Sequence, residues 1–157
     1  MTETEDHADV RILPPILFLS SILLGAAIQW LLPLPFARGS GLRVLLGIAF
    51  VLGGFGLGLW AYRTMRRTNQ DPDPREPSPE LIPGDGPYRY TRNPMYVGMA
   101  AIQAGVGIAF GNAWMLLLLP PTLFVLTRQV IEREEAYLTR RFGDAYLAYK
   151  AQVRRWA

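Results

Sequence analysis

Apolar residues gather in long blocks along this chain and polar residues gather in others, with little of the short-range alternation of a soluble fold. Residues 12–32, ILPPILFLSSILLGAAIQWLL, carry no charge. At about 1.5 Å of rise per residue, about 20 such residues span the hydrocarbon core of a bilayer. They predict a first membrane helix, entered through Pro14 and Pro15, whose missing amide protons cost least in a first turn. Pro33 and Pro35 end it. After a short stretch holding Arg38 and Arg43, the apolar run 42–62 predicts the returning arm of a helical hairpin. This run is rich in glycine, at Gly47, Gly53, Gly54, Gly56 and Gly58, and small residues let helix backbones approach closely where lipid supplies no hydrophobic drive.

Residues 63–93 read as a polar loop, crowded with Pro72, Pro74, Pro77, Pro79, Pro83 and Pro87 and with the turn residues Asp85 and Gly86. A third apolar run, 94–111, is short for a crossing and enters at Pro94, Met95 and Tyr96. Asn112 marks a tight turn. The fourth run, 113–127, contains Pro120 and Pro121, which predicts a kinked helix that crosses only with help from the segment after it. Residues 128–157 are charged and predict a helix, or a helix pair broken near Gly143. Ile131, Glu135, Leu138 and Phe142 share one face of it, and Tyr146, Tyr149 and Val153 repeat the stripe beyond the glycine. The pattern describes an all-α, polytopic membrane protein of a single domain, 1–157, with about four transmembrane helices followed by amphipathic tail helices.

Composition sharpens this picture. Half of the 157 residues are apolar and the formal charge is +3. The arginines cluster in the second loop and the tail, where a bilayer sorts them to the cytoplasm. They therefore call for no nucleic acid partner, and they place both termini and the 63–93 loop on the cytoplasmic side. The leading segment is acidic and the first apolar run long, which does not fit a cleavable signal peptide. The absence of cysteine removes disulfides, thiolate ligands and cysteine nucleophiles. The sole histidine, His7, lies in the acidic segment, so no histidine triad or histidine metal cluster is expected in the membrane body.

Two stretches carry the remaining chemistry: GDGPYRYTRNPMYVG at 84–98 and REEAYLTRRFGDAYLAY at 133–149. Taken singly, the glycines are a loop turn, the arginines are interfacial anchors, and Glu134 and Glu135 are salt-bridge partners for Arg128, Arg92 or Arg140. Taken together, Arg89 and Arg92 offer forked donors to a carboxylate or phosphate. Tyr88, Tyr90 and Tyr96 offer aromatic faces, and the glutamates, costly near a bilayer, call for a cationic or hydroxyl-rich partner. S-adenosylmethionine has a carboxylate, an ammonium, ribose hydroxyls and a sulfonium cation, and methyl transfer needs mainly alignment in a dry site.

The runs GPYRYTRNPMYVG and EEAYLTRRFGDAYLAYKAQVRR resemble the isoprenylcysteine carboxyl methyltransferase and phospholipid methyltransferase superfamily. The resemblance implies a cytoplasmic S-adenosylmethionine pocket, with S-adenosylhomocysteine as product and a lipophilic acceptor drawn from the membrane lipids. Arg92, Asn93, Pro94, Tyr96 and Gly98 fall on the family's arginine, histidine or asparagine, proline, tyrosine and glycine pattern, and Glu134 and Glu135 on its paired glutamates. Gly84 and Gly86 resemble the glycine pair of the phospholipid enzymes. Residues and resemblance together point to catalytic roles for Arg92, Asn93, Tyr96 and Glu135. They point to cofactor binding by Gly84, Gly86, Tyr88, Arg92, Asn93, Pro94, Tyr96, Gly98, Glu134 and Glu135, with no metal. Asn93, where isoprenylcysteine-type members carry histidine, favours an amine, thiol or lipid headgroup acceptor over a prenylated carboxylate. The competing readings are a membrane reductase using NADPH, related to sterol reductases, and a non-catalytic lipid-binding membrane protein.

Overall fold

The computed structural model describes residues 10, 12–36, 41–67 and 84–156. His7, Arg38, Arg75 and the prolines from Pro72 to Pro83 lie outside the described residues. Among the described residues the protein is all-α, with one isolated antiparallel bridge between Pro35 and Asn112.

Helix α1 spans Pro14–Leu31 with proline in its first turn, as the sequence predicts. It buries Pro14, Phe18, Ser21 and Gly25, three or four residues apart and so on one face. Helix α2 spans Gly41–Arg67. The loop expected from residue 63 therefore begins later, because Tyr62–Arg67 contains no glycine or proline to stop the helix. Thr64 Oγ1 also donates back to the Trp60 carbonyl within the helical ladder.

Helix α3, Pro94–Phe110, lies against α2 along a seam of small residues. A Cβ on Gly54 would stand 2.5 Å from the Gly98 carbonyl oxygen, and one on Gly105 would stand 2.7 Å from the Gly47 carbonyl oxygen. Only glycine allows this approach. The expectation that the five glycines of the run 42–62 all serve close packing needs correction: a Cβ on Gly53 or Gly56 would meet nothing within 4 Å, and the seam uses Gly47 and Gly54, seven residues apart, with the backbone nitrogen of Gly58 3.3 Å from where a Gly98 Cβ would stand.

Gly111, at φ +62°, ends α3 in the left-handed conformation that glycine adopts without strain. Asn112 then caps the next helix by accepting from the Met115 amide and donates its own amide to the Gly25 carbonyl of α1. Helix α4, Ala113–Leu117, and helix α5, Leu119–Leu126, are separated at Leu118, the turn preceding Pro120 and Pro121. A π-helical turn, Thr127–Ile131, joins α5 to α6, Glu132–Phe142. The tail does not begin as a separate element at residue 128. Helix runs on from Ala113 to Phe142 with only the Leu118 interruption, because residues 122–142 contain no proline or glycine. Gly143, at φ +52°, breaks it as expected, and α7 follows over Asp144–Gln152.

Among the described residues, three helical stretches are long and apolar enough to cross a membrane: Pro14–Leu31, Gly41–Arg67 and Ala113–Phe142. The fourth apolar helix, α3, is shorter. Lipid-facing side chains such as Leu19, Leu23, Leu45, Leu52, Phe55 and Phe124 stay exposed, whereas α3 is largely covered by its neighbours. At mid-helix, Gln103 donates to Ser21 Oγ and to the Met115 carbonyl, and Thr122 donates to the same Ser21, so a buried polar network ties α1, α3 and α5.

One apolar cluster fixes which ends meet. Val10, Phe18, Tyr96, Leu126, Val130, Ile131 and Tyr137 pack together, bringing the start of α1, the start of α3 and the α5–α6 junction to one end. The other end is closed by the turns at Leu34–Phe36 and Gly111–Asn112, which exchange backbone hydrogen bonds.

Candidate functional site

The two chemistry-bearing stretches meet at the first of these ends. Gly86–Arg89 form one 3-10 turn seated on the end of α2: a Cβ on Gly86, at φ +50°, would stand 2.5 Å from Thr64 Oγ1. The chain then runs through Thr91, Arg92 and Asn93 into α3. Across from it stand α6, whose first turn carries Glu134 and Glu135, α7, and the non-helical residues after it.

Glu135 is buried and is the hub of the site. Arg155 forks it, Nε to Oε1 at 2.9 Å and Nη2 to Oε2 at 2.8 Å. Lys150 Nζ approaches Oε2 at 3.2 Å, and Arg92 Nη2 approaches Oε1 at 3.3 Å. Three cations on one carboxylate leave positive charge in excess, and Arg92 spends little of its donor capacity there. Its Nε and Nη1 are buried and have no hydrogen-bond partner in the protein, so they are donors that an acceptor oxygen would satisfy.

Glu134 turns to the other side and accepts from the Tyr96 hydroxyl at 2.7 Å. Tyrosines surround the pair. Tyr149 donates its hydroxyl to the Tyr88 carbonyl at 2.7 Å and stacks at a tilt on Tyr146, with ring centroids 6.2 Å apart. Burial, reinforced by the charge of Glu134, raises the Tyr88 phenol, and burial with neighbouring Tyr146 raises that of Tyr149. Tyr146, against Arg92, is pushed up to about 12, first by burial and then by the Glu135 charge. These phenols are neutral donors at physiological pH. The hydrogen bond to Glu135 raises Arg155, which is held as a cation. Glu135 and Lys150 also line an open cleft of about 390 Å³ between α6 and α7, with Glu132, Ala136, Thr139 and Arg140.

The residues after α7 lie across the loop like a strap. The Arg92 amide donates to the Arg154 carbonyl at 2.9 Å. The Thr91 hydroxyl and the Asn93 side-chain amide both donate to the Arg155 carbonyl at 3.0 Å, and the Asn93 amide N–H donates to Thr91 Oγ1 at 3.2 Å.

The fold thus brings Tyr88, Arg92, Asn93, Tyr96, Glu134 and Glu135 together. It places Gly98 in the α2–α3 seam, Pro94 at the first buried position of α3, Gly86 on the end of α2, and Gly84 exposed with nothing within 4 Å of a Cβ. Sequence reasoning missed Thr91, Lys150 and Arg155, which lie within the two runs that resemble the family but fall on none of its pattern positions. The stripe Tyr146–Tyr149 put α7 on the right face, but nothing in its spacing says which tail cation reaches Glu135.

Residues 42–145 of the chain match the phospholipid methyltransferase family. Over 73 residues, 46% of the chain, it is 40% identical to a protein-S-isoprenylcysteine O-methyltransferase of Schizosaccharomyces pombe, and this match covers 31% of that protein. Over 64 residues, 40% of the chain and 98% of the relative, it is 38% identical to an uncharacterised protein of Haemophilus influenzae. No solved structure gives a significant match.

Proposed function

Because this chain belongs to the phospholipid methyltransferase family, we propose that it uses S-adenosylmethionine to methylate a lipophilic or membrane-associated acceptor, a phospholipid amine or an isoprenylcysteine-type carboxylate. When bound, the cofactor supplies an electrophilic methyl group on a sulfonium. The observation that carries the reading is the pair of buried, unpartnered Arg92 donors beside Glu134 and the tyrosines.

The residues suit the cofactor group by group. Arg92 Nε and Nη1 form the geometry that grips a carboxylate. Glu134, spent only in part on Tyr96, accepts from an ammonium or from ribose hydroxyls. The rings of Tyr88, Tyr96, Tyr146 and Tyr149 offer faces to a cation at about 0.5–2 kcal/mol per contact. Asn93 has its amide committed to the Arg155 carbonyl, so it orders the loop and provides no base. The third and fourth apolar helices line the route by which the acceptor enters from the bilayer, and the loop, the tail and both termini face the cytoplasm.

Isothermal calorimetry on the purified protein in detergent tests this. S-adenosylhomocysteine should bind, and Arg92→Ala should weaken binding by about tenfold or more, the loss of a charged hydrogen bond. Incubation with labelled S-adenosylmethionine and total lipid extract then identifies the acceptor. No S-adenosylhomocysteine binding, or thermal stabilisation by NADPH instead, overturns the reading.

A further inference from the structure

Arg155, the last residue of the run EEAYLTRRFGDAYLAYKAQVRR and beyond the residues 42–145 that match the family, makes the two shortest contacts to Glu135. We infer that Arg155 is a positioning residue that keeps Arg92 free: by occupying Glu135 with its own fork, it leaves the Nε and Nη1 donors of Arg92 for an anionic group of the ligand. This inference rests on the proposed cofactor reading.

A carboxylate accepts a bidentate arginine along one edge, and such fork-to-fork pairs are the strongest arrangement open to either partner. Glu135 has two arginines within reach. Arg155 takes both oxygens at 2.8–2.9 Å, while Lys150 occupies Oε2 as well. Arg92 is left with one nitrogen at 3.3 Å from Oε1. Arg92 is the more deeply buried of the two arginines, its side chain 9% exposed against 31% for Arg155, so its unused donors cannot be satisfied by bulk water. They are held unpartnered because the competing carboxylate is already full.

The backbone makes the arrangement specific. The Arg155 carbonyl accepts from Thr91 and Asn93, on either side of Arg92, and the Arg154 carbonyl accepts from the Arg92 amide. The same residue that fills Glu135 therefore also fixes the backbone from which Arg92 projects. Without the Arg155 guanidinium, two acceptor sites on Glu135 open beside a buried arginine with two idle donors. Arg92 then turns onto Glu135, and the ligand's anionic group loses its partner.

The test compares two ligands within each variant: S-adenosylhomocysteine, and the analogue in which hydrogen replaces its carboxylate. Their affinity ratio is independent of the fraction of protein that is folded. Wild type should prefer the carboxylate form by about tenfold or more, as expected for a hydrogen bond to a charged group. Arg155→Gln should reduce the preference to less than about threefold. Arg155→Lys, which keeps the charge but not the fork, should fall between. The double variant Glu135→Gln/Arg155→Gln should regain preference, because the carboxylate that captured Arg92 is gone. Retained tenfold preference in Arg155→Gln, or no recovery in the double variant, overturns the inference. Should Arg155→Gln not fold, an undiminished preference in Arg155→Lys overturns it equally. Wild type that binds both ligands alike refutes this inference alone, whereas wild type that binds neither refutes the cofactor reading itself.

Discussion

Glu135 is a buried carboxylate whose three cationic partners come from three places in the chain: the loop before α3, the last turn of α7 and the strap beyond it. Removing its charge strands all three. Fully buried pairs broken in this way cost about 3–5 kcal/mol, and the access to water kept by Lys150 and Arg155 lowers the figure for Glu135→Gln to about 2–3 kcal/mol, readable as a lowered melting temperature in detergent. Tyr146 gives the site a pH signature. Its phenol is pushed up to about 12 by burial and the Glu135 charge, against about 10 in an unfolded chain. Between those values the folded protein holds a proton that the unfolded chain has released. The contribution is complete below about pH 10 and is lost as pH rises toward 12. Tyr146→Phe should therefore flatten part of the fall in melting temperature above pH 10, with Tyr88 and Tyr149 supplying the rest. The Arg92–Glu135 and Tyr96–Glu134 meetings were legible as two motif segments that belong together. Which oxygen goes to which cation was not, because partner choice across 20 residues depends on how the chain folds back at Gly143.

Glycine spacing decides how the helices meet. Gly54 and Gly98 face each other so closely that a side chain on either collides with the opposing backbone. Gly54→Val should cost about 1–3 kcal/mol of stability or prevent folding, whereas Gly53→Val, one residue along and in open space, should fall within about 0.5 kcal/mol of wild type. Comparing the two by thermal unfolding separates the seam from the lipid-facing side of one helix. The sequence announced five glycines without saying which faced a partner, because a helix that is apolar all round carries no polar face to orient it. Gly143 is different in kind: it has free space around it but φ +52° and ψ −128°. Gly143→Ala should therefore cost about 1–3 kcal/mol of stability through backbone strain with no collision.

Across the whole molecule, the cluster of Phe18, Tyr96, Leu126 and Ile131 gathers the site at one end, and the Leu34–Asn112 turns close the other. The clustering of arginines at the site end predicts that this end faces the cytoplasm. The cysteine-free chain makes the test direct. A single cysteine at the exposed Ala151 should be protected from a membrane-impermeant maleimide in intact cells and labelled after permeabilisation, and one at the exposed Leu34 should be labelled in both. The reverse pattern refutes the orientation.

By itself the sequence determined the helical character, the apolar lengths, the breaks at Pro33–Pro35, Gly111–Asn112 and Gly143, and the two segments that hold the chemistry. Each follows from local covalent chemistry: proline without an amide proton, glycine without a Cβ, and apolar runs matched to a bilayer. Only the tertiary structure decided that α2 continues to Arg67, that helix carries Glu134 and Glu135 forward from α5 without a break at residue 128, and that Arg155 and Lys150 join Arg92 on one carboxylate. Continuation of a helix is cooperative, and the sharing of a buried charge is settled by competition among donors that only the folded chain brings within 3.3 Å of one another's acceptor.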